Sequence, residues 1–128
     1  MSALEWKKIC CPIDFSKAAR HACETAADLS GRYGAELILL HVEARGEEWS
    51  ETTAKEFVAD AQKLGAAQVR LVRESGEPSA RISEYAKKHE ISLIVMGTHG
   101  RTGRAASLVG SVAESVVRSA PCPVLIVK

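Results

Sequence analysis

Two runs constrain the fold of this chain more than anything else in it: ELILLHV (36–42) and SLIVMG (92–97). Both are almost continuously apolar, both are too short for a helix, and glycine or polar residues bound them. A strand with one wet face alternates apolar and polar residues, whereas an unbroken apolar run suits a strand covered on both faces, as in a parallel sheet. KKICCPI (7–13) and PVLIVK (123–128) read as two further strands. QVRLVRE (68–74) alternates, so one of its faces or edges meets water.

Helical patterns separate these runs. Helix 1 follows an N-cap at Ser16, with Ala19, Ala22, Cys23, Ala26, Ala27 and Leu29 on its inner stripe and Gly31 and Gly34 at its end. Helix 2 runs from near Ser50 to Leu64 and stops at Gly65. SGEP opens helix 3, where Pro78 suits the first turn and Ile82, Tyr85 and Ala86 face inward. Helix 4 begins at Ser111 with an S-x-x-E capping box to Glu114. Five strands alternating with four helices specify an α/β fold: one domain over 1–128, a doubly wound parallel sheet with helices on both faces. In such a sheet the ligand sits beyond the carboxyl ends of the strands, where the strand order reverses.

The bulk composition excludes several classes. Apolar residues are 46% and charged residues 26%, ordinary for a globular domain. A formal net charge of +1 argues against nucleic acid as a partner. No run is long enough to span a membrane, and MSALEWKKICC lacks a signal-peptide core, so the expected location is cytoplasmic. Cys10, Cys11, Cys23 and Cys122 form no C-x-x-C pair; they read as reduced, small hydrophobes, with Cys10 and Cys11 on opposite faces of strand 1 and Cys23 open to exposure on its helix.

The stretch GTHGRTGRAASLVGSV (97–112) carries the chemistry. Gly97, Gly100, Gly103 and Gly110 let a ligand touch the backbone, and successive N–H groups in such a turn form an anion nest. Gly110 and Ser111 lead into a helix whose unpaired N–H groups and dipole favour a phosphate. His99, Arg101 and Arg104 add positive charge, so the stretch suits a polyphosphate. The bland alternative is a slack loop before a capped helix; capping alone accounts for Ser111. Neither G-x-x-x-x-G-K-[ST] nor G-x-G-x-x-G occurs.

The spacing is G-x2-G-x9-G-[ST], counted from Gly97. With KKICCPIDFS at the start, LILLHV, LIVMGTHGRTG and LVGSVAESVVRSAPCPVLIV, the chain resembles the ATP-binding subclass of the universal stress protein family over essentially its whole length. The resemblance implies a Rossmann-like sheet in the order 3-2-1-4-5. It implies that Asp14 would bond the ribose hydroxyls, that Pro12, Ile13, Val42 and Met96 would line the base, and that Gly97, Gly100, Gly110, Ser111 and Val112 would hold the phosphates. ATP, or AMP or ADP, would be the ligand, with Mg or Mn bridging the phosphates, and two copies would form a homodimer through strand 5. Taken alone, Asp14 is also a first-turn acid, and Val42 and Met96 are ordinary strand residues. His41 reads as a satisfied histidine at a strand end, His21 and His89 as solvated, Trp49 as packing on helix 2 and Trp6 as an anchor for strand 1.

No residue set for catalysis is assignable. The expected function is a nucleotide-dependent regulatory or sensor module in a stress response, meeting an unidentified protein partner. The alternatives are a slow ATPase or other ATP-using enzyme of the same fold, and a protein-interaction module with an unoccupied nucleotide site.

Overall fold

The computed structural model describes residues 6–43, 49–98 and 110–128. In chain order these form β1 (Lys8–Pro12), α1 (Lys17–Tyr33), β2 (Glu36–Glu43), α2 (Glu51–Lys63), β3 (Gln68–Ser75), α3 (Pro78–Lys88), β4 (Leu93–Gly97), α4 (Ser111–Ser119) and β5 (Val124–Val127). All pairings are parallel and the sheet order is β3-β2-β1-β4-β5, as the resemblance implied.

The two apolar runs are buried on both faces. In β2, Leu37 and Leu39 point into one core layer with Ala22, Ala26, Phe57 and Ala61 of α1 and α2. Ile38, Leu40 and Val42 point the other way, to Ile82, Tyr85, Ala113 and Val116 of α3 and α4. Cys10 and Cys11 divide between the two layers, as strand geometry requires. Each fully buried leucine or isoleucine contributes about 1.5–3 kcal/mol of transfer free energy. The alternation in β3 marks an edge: Arg70 and Arg73 are exposed and pair with Glu36 and Glu43 of β2.

α1 faces the sheet almost entirely with alanines, which lets it lie close. The two are tightly packed at the end of β4, where a Cβ on Gly97 would stand 2.6 Å from the Ala18 carbonyl oxygen. α1 ends on Gly34 in the left-handed region (φ 66), whose N–H bonds the Ser30 carbonyl. The hydroxyl of buried Ser30 donates to the Ala35 carbonyl at 2.5 Å and accepts from the Ala67 N–H at 3.1 Å, tying that end to the chain entering β3.

Leu29 is half-buried and packs against the α1 core layer, as its place on the stripe predicts, beside fully buried Ser30. Three sequence expectations need correction. Cys23, expected to be open to exposure, is only 3% exposed, because it lies on the sheet-facing side of α1. His89 is half-buried, at the end of α3, stacked on Tyr85 with ring centroids 4.1 Å apart. Ser111 is not an N-cap: Gly110 caps α4, extended at φ −66 and ψ 161, with no side-chain bond. Glu114 is therefore one place too far along for a capping box and turns to Arg118 at 3.0 Å.

Candidate functional site

The site is built by the way the sheet comes apart. β1 pairs with β2 over five positions, from Lys8↔Glu36 to Pro12↔Leu40. It pairs with β4 over only two, Ile9↔Leu93 and Cys10↔Ile94. β1 and β4 are the neighbours at which the winding order reverses, so their parting beyond Cys10 and Ile94 opens a crevice at the carboxyl ends.

The turn after β1 is fastened to β2. The Ile13 N–H donates to the Leu40 carbonyl at 2.8 Å, and its carbonyl meets His41 Nδ1 at 2.7 Å. Asp14 follows, half-buried, with Oδ1 accepting the Ser16 N–H at 3.1 Å in an Asx-type turn. Ser16 Oγ in turn accepts the Ala19 N–H at 3.1 Å and caps α1, as its sequence position predicts. Between them Phe15 takes a left-handed backbone (φ 65), which costs a non-glycine residue about 1–2 kcal/mol. Packing holds it there. The Phe15 ring stacks on His41 at 4.6 Å and meets Trp49 and Phe57 at 5.7 and 5.9 Å.

Strand alternation sorts the other expected residues. Pro12, Val42 and Met96 lie on the α3/α4 face, with Val42 8% and Met96 5% exposed. Ile13 goes to the opposite face, into the core beneath α1, with both of its main-chain polar groups engaged. Gly97 ends β4 and packs on α1.

At α4 the first intrahelical bond runs from the Glu114 N–H to the Gly110 carbonyl at 2.9 Å. The N–H groups of Ser111, Val112 and Ala113 thus have no acceptor within the helix, and Ser111 and Val112 are exposed. Glu114, in the first turn, is paired with Arg118 at 3.0 Å, which offsets its charge at that end. Such an end suits an anion. His99, Gly100, Arg101 and Arg104 lie outside the described residues.

Sequence reasoning missed the aromatic group that supports the turn. Trp49, expected to pack on helix 2, instead has its ring contacts with His41 at 5.3 Å, Phe15, and the Arg73 guanidinium 4.4 Å above its ring. Its indole N–H donates to Glu51 at 2.6 Å. The available signal was a histidine within an apolar strand run. Trp6 anchors the start of β1 through an edge-on contact with Tyr33 at 5.1 Å.

Residues 5–128 match the model of the universal stress protein family. The chain belongs to that family. A universal stress protein of Methanocaldococcus jannaschii is 33% identical over 141 aligned positions, covering 96% of this chain and 82% of that one. Among solved structures, universal stress protein UspA from Lactobacillus plantarum superposes with a TM-score of 0.81 at 28% identity, covering 99% of this chain and all of its own. The universal stress protein from Archaeoglobus fulgidus in complex with dAMP gives a TM-score of 0.75 at 25% identity, over 98% of this chain and 100% of that one. This universal stress protein thus shares the five-stranded sheet of its relatives along nearly its whole length.

Proposed function

We propose that this universal stress protein is a single domain over 1–128 that binds an adenine nucleotide, ATP, in the crevice between β1 and β4, and that the bound nucleotide governs a regulatory partnership in a stress response. The observation that carries the reading is the parting of β1 and β4 beyond Cys10 and Ile94, with the pinned Asp14 turn on one strand and the close-packed Gly97 on the other. The dAMP complex of the Archaeoglobus fulgidus relative supports an adenine nucleotide as the class of ligand.

In this reading Asp14 bonds the ribose hydroxyls. Pro12, Val42 and Met96 line the base from the α3/α4 face, and Ile13 contributes by fixing the turn from beneath. Gly97, Gly100, Gly110, Ser111 and Val112 hold the phosphates through backbone N–H groups, and His99, Arg101 and Arg104 supply charge. A Mg or Mn ion accompanying the nucleotide would neutralise phosphate charge; among the described residues no three His, Cys, Asp or Glu side chains group to hold a metal. Four free thiols fit a reducing, cytoplasmic setting. Among the described residues no helix is long and apolar enough to cross a membrane. Two copies pair through β5.

Denaturing the purified protein and identifying any released nucleotide tests the ligand class. Calorimetric titration with ATP, ADP and AMP, beside Gly110→Val, tests the placement. The variant is expected to lose ATP affinity; equal affinity in both proteins would remove the phosphate site from α4.

A further inference from the structure

Phe15 is the strained residue of the turn after β1. Its backbone is left-handed (φ 65), a conformation that a non-glycine residue holds only under constraint. The bond from the Ser16 N–H to Asp14 Oδ1, 3.1 Å long, spans it. The upstream side of the turn is pinned separately, by the two main-chain bonds of Ile13 to Leu40 and His41. Asp14 therefore stands between a fixed Ile13 and a Phe15 that is held by its ring. Three rings hold that one: His41 at 4.6 Å, Trp49 at 5.7 Å and Phe57 at 5.9 Å. His41 and Phe57 are each 1% exposed and belong to the interior. Trp49 is half-buried and is steadied from outside. The Arg73 guanidinium of β3 covers its ring, with Nε of the same arginine 2.6 Å from Glu43, and its indole N–H donates to Glu51 of α2 at 2.6 Å. Arg73 and Glu51 are exposed. A line of contacts thus runs from surface charges on β3 and α2, through Trp49 and Phe15, to the Asp14 turn.

We propose that Trp49 is a positioning residue for the nucleotide site: acting through Phe15, it holds the Asp14 turn in the conformation that meets the ribose. The proposal rests on the adenine-nucleotide reading for its ligand, but the turn it acts on is formed without one. Two states of the turn follow from the strain. In the docked state the Phe15 ring is gripped and its backbone is left-handed. In the released state Phe15 returns to an ordinary φ and the Asp14–Ser16 bond opens. A ligand that needs the docked state binds with an apparent affinity reduced by the fraction of molecules that are docked. Each contact on the Phe15 ring raises that fraction, and Trp49 is the contact tied to the surface. Glycine reaches φ 65 at no steric cost, so a glycine at position 15 would need no grip on a ring.

Two measurements on the full chain test this. The first needs no nucleotide: amide hydrogen exchange, read by NMR, compares the Ser16 N–H with the Ile94 N–H, which bonds the Pro123 carbonyl at 3.0 Å in the β4–β5 half of the sheet. Trp49→Ala should speed exchange at Ser16 and leave Ile94 unchanged. The second is calorimetric titration with ATP. Trp49→Ala is expected to bind about five- to thirty-fold more weakly, the factor that the strain of one left-handed residue allows. Trp49→Phe, which keeps a ring beside Phe15, should restore most of the affinity. Trp49→Leu, which keeps apolar bulk without a ring, replaces the alanine variant where that one does not fold. In a Phe15→Gly background, Trp49→Ala should cause no further loss. Equal acceleration at Ser16 and Ile94 would overturn the proposal by assigning Trp49 to global stability. Unchanged exchange at Ser16 would overturn it as well, as would an equal loss of ATP affinity in both backgrounds, which would bypass Phe15. A wild-type protein that binds no ATP would remove the nucleotide reading, while exchange at Ser16 would still decide whether Trp49 holds the turn.

Discussion

His41 Nδ1 lies 2.7 Å from the Ile13 carbonyl, so a buried side chain in the middle of the sheet fixes the turn that carries Asp14. The same imidazole is the platform on which Phe15 stacks in its left-handed conformation. Replacing His41 by leucine keeps the bulk but leaves the Ile13 carbonyl without that bond in a site closed to water. His41→Leu is expected to destabilise the fold by about 1–3 kcal/mol, read from the denaturant midpoint. It should also weaken ATP binding more than it changes the sheet, since the fault lies in the turn. An unchanged midpoint would show that the bond does not hold the turn.

Gly97 was singled out in the sequence for a phosphate, and the structure supplies a second reason for it. A Cβ there would lie 2.6 Å from the Ala18 carbonyl oxygen and 3.0 Å from its Cβ. The obstacle is backbone, which cannot swing aside. Gly97→Ala is expected to cost about 1–3 kcal/mol through overpacking, even without nucleotide present. Thermal melts of the nucleotide-free protein check this; a melt like that of the wild type would leave ligand contact as the only role for this glycine.

These two positions show what was legible in the sequence. Alternation of apolar runs with amphipathic segments is a property of periodicity, so all five strands and four helices could be read directly. The order β3-β2-β1-β4-β5 could not, because periodicity carries no pairing information; it came from resemblance. Side-chain direction followed wherever strand alternation is strict, as at Cys10 and Cys11. At Ile13 the turn continues the strand alternation for one further residue, which sends its side chain into the core, a direction that the sequence resemblance does not carry. The left-handed Phe15 had no sequence signal, since its backbone is held by stacking from β2 and α2. The cap of α4 was misplaced by one residue because serine is the stronger N-cap on propensity, yet the chain enters that helix through Gly110.

Gly110 gives a sharper test than removal of the site. It caps α4 without a side-chain acceptor, in an extended conformation that aspartate also adopts. Gly110→Asp should gain a few tenths of a kcal/mol in stability from the new cap and from its charge at the positive end of the helix. The same carboxylate would stand where the proposed site takes a phosphate. The expected outcome is therefore a raised melting temperature together with loss of ATP affinity, measured by calorimetry on one preparation. ATP affinity equal to that of the wild type would place the phosphates elsewhere.

Glu77 predicts a pH dependence. It caps α3, accepting from the Ala80 N–H at 2.7 Å and the Ser79 N–H at 3.3 Å, with the Ser79 hydroxyl at 2.9 and 3.0 Å. The Ala80 N–H, then the Ser79 hydroxyl, hold its carboxyl below the ordinary value for glutamate. A group with a depressed folded value stabilises the protein above its unfolded value and loses that contribution as pH falls through the folded one. Wild type should therefore melt above Glu77→Ala at neutral pH, and the gap should close in the acid range. A gap that persists at low pH would assign the effect to propensity alone.

The β5 edge suits pairing with a second copy of the chain. β3, at the other edge, carries exposed Arg70 and Arg73, whereas Val124–Val127 of β5 holds no charge and leaves Leu125 39% exposed. Val117 of α4 is 52% exposed. An apolar unguarded edge invites pairing with another strand, and a second copy offers one of matching pattern. Pro121 and Pro123 just before β5 limit that pairing at its start. The protein is expected to run as a dimer in light scattering at micromolar concentration. Leu125→Glu would place like charges near the two-fold axis and should shift the mass to that of one chain with the melting curve otherwise cooperative. A wild-type mass of one chain would exclude the β5 dimer, and a dimer unaffected by Leu125→Glu would move the interface to another surface.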